Sequence, residues 1–88
     1  MNAERRKSIS EIMERISSLR EDIESAQSDL SSVASDEEEA RDNMAAQSGP
    51  NYEASEEASD YMNEADGYFD DALSALEEVI NNLENIVG

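Results

Sequence analysis

Gln47-Ser48-Gly49-Pro50-Asn51 is where this chain stops being helix and starts again. It holds the only Pro and one of three Gly. Gly suits the residues just past a helix end, while Pro, lacking an N–H and fixed near φ −65°, suits a first turn. Working back from this break, apolar or small residues fall at Ile9, Ile12, Ile16, Leu19, Ile23, Ala26, Leu30 and Val33, and the spacing continues through the charged Glu37 to Ala40 and Met44. Working forward, they fall at Ala58, Met62, Ala65, Phe69, Ala72, Leu76, Val79, Leu83 and Ile86. Both series alternate steps of three and four, the spacing of a heptad seam.

The expected fold is therefore all-α: an antiparallel two-helix coiled-coil hairpin over residues 1–88, with helices at 3–46 and 51–87 and a turn at 47–50. A connection this short forces antiparallel neighbours. With the turn centred near Gly49, facing residue numbers add to about 98, which sets Ile12 against Ile86, Ile23 against Leu76, Ala26 against Ala72 and Ala40 against Ala58. Glu37 then faces Tyr61, either snorkelling to water or accepting the tyrosine hydroxyl. A further apolar row, Leu73, Ile80 and Val87 with Met13 from the first helix, widens the stripe beyond what one partner helix covers. The expectation is a homodimer in which two hairpins form a four-helix bundle at that end. Gly67, in the middle of the second helix, either allows a close backbone approach or marks a bend.

Charge restricts the chemistry. Twenty-three carboxylates stand against six Lys or Arg for a net −17, and residues 42–88 contain twelve carboxylates and no cation. The absence of His and Cys removes the usual general base, the thiolate nucleophile and the commonest transition-metal ligands. The serines have no base on their own helix face to activate them, and no Gly-rich phosphate loop is present. Neither the run Asp36-Glu37-Glu38-Glu39 nor Asp66-Gly67-Tyr68-Phe69-Asp70-Asp71 has calcium-loop spacing. No catalytic residue, metal site or cofactor is expected. Nor is a membrane span, a signal peptide or direct nucleic-acid binding, since Arg5, Arg6 and Lys7 are too few against this field. A cytoplasmic location is the expectation.

What the second helix offers is a flank of regularly repeated anions: Glu56, Glu57, Asp60, Glu64, Asp70, Asp71, Glu77 and Glu78. Heptads in water commonly carry carboxylates outside, but they mix in lysines to gain (i, i+4) pairs. This helix forgoes them all. Seven residues rise about 10.5 Å, so the flank is a ladder of charge comparable in kind to a phosphate backbone. It fits a basic surface on a protein partner. Tyr52, Tyr61 and Tyr68 either anchor such a partner or roof the alanine-rich seam. The alternative function is a structural hairpin that assembles through its apolar end.

The stretch Glu37-Glu38-Glu39-Ala40-Arg41-Asp42-Asn43-Met44, followed by a turn and an acidic, alanine-rich helix, resembles small acidic helical-hairpin proteins of bacterial prophages and mobile elements. In that group Pro usually follows Asp-Asn-Met directly, whereas here residues 45–49 intervene. The resemblance implies a mobile-element origin and a bacterial cytoplasm. By analogy of charge and size, it also implies a class that includes inhibitors of defence nucleases and other DNA-binding proteins.

Overall fold

The computed structural model describes all 88 residues as two helices, α1 (Ala3–Asp42) and α2 (Pro50–Val87), folded into an antiparallel hairpin with no strand. Its extents are 67 × 15 × 14 Å and its radius of gyration is 19.8 Å, against about 12 Å for a compact chain of this length. The exposed surface is 6419 Å², where a compact monomer of equal mass exposes about 5,100 Å². The molecule is a rod with almost no interior: only Ile80 and Ser55 are buried. No helix is long and apolar enough to cross a membrane.

The ends of the helices follow from their residues. Asn2 Oδ1 accepts from the Arg5 backbone N–H at 2.8 Å, an N-cap that satisfies one of the open donors of the first turn. Glu4 in that turn and Arg41 in the last complement the helix dipole. At the second helix Gly49 takes φ 99°, a left-handed conformation suited to Gly, and Pro50 starts α2.

Helix α1 ends at Asp42, four residues before the position 46 expected from the sequence, and α2 begins at Pro50. Asn43 caps α1, its N–H donating to Glu39 O and Arg41 O, and the Met44 N–H also reaches Arg41 O. Gln47 Nε2 then donates to the carbonyls of Met44 (2.7 Å) and Arg41 (3.4 Å). A side-chain amide thus takes over acceptors that another turn of helix would have used. The longer loop lets Met44 stay half-buried in a shallow groove shared with Pro50 and Tyr52.

The seam itself is rotated by one position from the expected one. With Ile9, Ile16, Ile23 and Leu30 as heptad position a, the inward partners on α1 are Met13, Arg20, Gln27, Ala34 and Arg41 at position e. The expected Ile12, Leu19, Ala26, Val33 and Ala40 at position d are exposed. On α2, Met62, Phe69, Leu76 and Leu83 (a) pack inward with Ser59, Asp66, Leu73, Ile80 and Val87 (e), and of the expected d row Ala58, Ala65 and Ala72 stay half-buried beside them while Val79 and Ile86 are exposed. Met13, Leu73, Ile80 and Val87, assigned from sequence to contacts between hairpins, therefore lie in the contact between the two helices of one hairpin. On α1 the d row is the more apolar of the two, and only at the terminal end of α2 are both rows apolar. The a/e choice turns Leu73 and Ile80 of α2 inward, Ile80 to burial, and leaves Val79 and Ile86 outside.

A polar flank, an apolar face and two clips across the seam

The rotated seam gives the hairpin two unlike sides. Along the e side, polar groups bridge the helices. Gln27 Nε2 donates to Asp66 Oδ1 (3.1 Å), Asp70 Oδ1 (2.8 Å) and the Asp66 carbonyl (3.4 Å). Two heptads on, Arg41 Nη1 donates to Ser59 Oγ (2.6 Å), Ser55 O (3.3 Å) and Ser55 Oγ (3.4 Å). Ser55 is the most buried residue of the chain, at 3% exposure. These donors replace the alanine contacts expected of Ala26 and Ala40. They also fix register, because only one sliding position brings both long side chains onto their acceptors at once. The bonded pairs have residue numbers adding to between 93 and 100, around the expected 98. The sequence reading gave no bridging role to Gln27, Arg41, Ser55, Ser59 or Asp66. The available signal was that Gln27 and Arg41 are long donors two heptads apart on one face.

All eight acidic residues expected to meet a partner, Glu56, Glu57, Asp60, Glu64, Asp70, Asp71, Glu77 and Glu78, are exposed on α2. They do not form one ladder. At 100° per residue, Glu57, Glu64, Asp71 and Glu78 (position c) point directly away from α1, while Glu56, Asp70 and Glu77 (position b) stand on the e-side shoulder. Asp60 lies between the two rows. Asp70 is already engaged by Gln27. The free and evenly spaced set is the c row. Seventeen net charges on a 67 Å rod amount to one per roughly 4 Å, against one per about 1.7 Å for duplex DNA. Nowhere do three or more carboxylates converge on a point that could hold a metal ion.

The other side is apolar. Like positions of antiparallel helices lie on the same side of the pair, so the d rows of α1 and α2 share one face. Along it run Ile12 with Ile86, Leu19 with Val79, Ala26 with Ala72, Val33 with Ala65, and Ala40 with Ala58. Leu19 at 47% and Val33 at 55% exposure are typical of its large members. Tyr61 and Tyr68 extend it outward on α2, Tyr68 at 71% exposure; they flank the face and do not roof the seam. Tyr68 also joins Ala65 and Phe69 in a shallow apolar depression. Glu37 is half-buried in the seam, while Tyr61 opens to solvent. At Gly67 an added Cβ would meet nothing within 4 Å, so no close approach within the hairpin calls for glycine there.

Set against protein families, curated proteins and solved structures, the chain matches none.

Proposed function

We propose that the chain is a non-enzymatic interaction protein whose α2 flank binds the basic surface of a protein partner. The carrying observation is the lysine-free row Glu57, Glu64, Asp71 and Glu78, exposed at intervals of about 10.5 Å. Such a row presents anions at fixed spacing on a rigid helix, the kind of charge that a groove built for nucleic acid attracts. A nucleic-acid-binding or defence protein is the partner class that this chemistry suits, and a phage-type inhibitor acting in a bacterial cytoplasm is the corresponding role. In the same proposal two hairpins join into a homodimeric four-helix bundle. A second reading, a structural hairpin whose charge serves only solubility, draws on the exposed apolar face.

The test is capture by the immobilised chain from a lysate of its source cells, eluted with a salt gradient. The control carries Glu64→Lys, Asp71→Lys and Glu78→Lys, which spares Asp70 and its bond to Gln27. Nucleic-acid-binding proteins that leave at modest salt and ignore the control are the expected result. Equal retention by the control, or a partner that resists salt, removes the acidic row from the mechanism and favours the structural hairpin.

A further inference from the structure

We propose that the d face, exposed along α1 and at Val79 and Ile86 of α2, seats a second copy of this chain running in the opposite direction, with a twofold axis passing beside Ala26 and Ala72. The inference rests on the two-hairpin reading above and adds its face and its direction.

Area comes first. One face of the rod measures 67 by 15 Å, so two such faces in contact remove roughly 2,000 Å² from water, the upper end of a standard stable interface. The hairpin by itself buries only Ile80 and Ser55. A chain with so little interior gains its core by covering the row that the seam left out. Burying d beside a and e gives each helix the three-position apolar face typical of a four-helix bundle.

Direction follows from size and charge. The face has five layers, large at the chain termini (Ile12 and Ile86, then Leu19 and Val79) and small near the turn (Ala40 and Ala58). Opposed copies place Ile12 over the partner's Ala40, Leu19 over the partner's Val33 and Ala26 over the partner's Ala26. In the end layers Ile12 then meets the partner's Ala40 and Ile86 the partner's Ala58, whereas copies running the same way would stack Ile12 on the partner's Ile86 and Leu19 on the partner's Val79 at one end. Residues 1–25 and 73–88 carry five cations against nine carboxylates, and residues 26–72 one against fourteen. Opposed copies lay each half of net −13 over one of net −4 and bring Arg15 beside the partner's Asp36. The same-direction alternative sets Asp29 and Asp36 near the partner's tyrosines, but it also puts both strongly acidic halves side by side.

The chain has no Cys, which makes disulfide trapping clean. Ala26 is exposed in the single hairpin, so Ala26→Cys leaves that unit intact. In an opposed dimer this position meets itself across the axis, within the Cα separation of about 4.4–6.8 Å that a disulfide needs. Leu19→Cys is the control, because its counterpart in the partner is Val33. Sedimentation of the unmodified chain should give twice 9.7 kDa. Mild oxidation should then link most of the Ala26→Cys protein while leaving Leu19→Cys largely unlinked, with both retaining full helicity by circular dichroism. A dimer in which Ala26→Cys stays unlinked, or in which both variants link equally, overturns the direction alone. A monomeric unmodified chain overturns the pairing itself, and with it the homodimer of the proposed function.

Discussion

Replacing Gly67 by Ala should raise the stability of this protein. Gly67 lies seventeen residues inside α2, its backbone is helical, and an ideal Cβ there meets no atom within 4 Å. The substitution therefore adds no clash and removes only the entropic penalty of ordering a glycine, about 1 kcal/mol in a helix interior. For a chain of this size that corresponds to a rise in Tm of about 4–8 °C. The measurement is thermal unfolding followed by circular dichroism at 222 nm, at one fixed protein concentration, because association also shifts Tm. A fall in Tm would refute the reasoning. Something outside the single hairpin would then approach the backbone at Gly67, and the interface between copies would have to include that side of α2 instead of the d face.

Arg41→Met should destabilise the turn half by about 1.5–3 kcal/mol, because it removes the charged donor that reaches Ser59 Oγ and the buried Ser55; Arg41→Lys, with one compact donor head, should recover only part of this in urea unfolding. Added salt should raise Tm, since residues 26–72 hold fourteen carboxylates against one cation and the Debye length falls from about 10 Å at 0.1 M to about 3 Å at 1 M. A Tm that falls with salt would mean that attractive ion pairs outweigh repulsion along the rod.

The hairpin was legible because three signals agree: one Gly-Pro break, apolar spacing in threes and fours on both sides, and small residues falling opposite small ones. Register was legible for the same reason, and both clips sit around it. What the sequence left open was which of two neighbouring rows faces inward. Ile12-Met13, Val79-Ile80 and Ile86-Val87 are doublets at positions d and e, apolar at both, so either row fits at those positions, and of the terminal pairs only Leu19-Arg20 favours d. The polar half breaks the tie. Only the e row carries Gln27 and Arg41, long enough to satisfy acceptors on the other helix, and a rigid helix turns as a unit once its polar end is committed. The early end of α1 was hidden for a similar reason. Ala45 and Ala46 favour helix, but the Gln47 amide competes for the same carbonyls, and intrinsic preference yields to that bond.

The polar clips and the open apolar row have one cause. A helix pair needs something on each shoulder of its seam, and here the e shoulder is closed by hydrogen bonds within the chain while the d shoulder is left to apolar side chains. Closing the e side internally keeps Asp66 and Asp70 occupied, so the b row contributes less free charge than its composition suggests. The c row is untouched by either shoulder, because it points away from α1. Two copies opposed on their d faces would stack α2 over the partner's α2, and both c rows would emerge on the same edge of the bundle, running in opposite directions. Association then strengthens the anionic display, against some repulsion between the two c rows. The face that supplies the missing core is the one whose burial leaves Glu57, Glu64, Asp71 and Glu78 exposed and doubles their number on one edge.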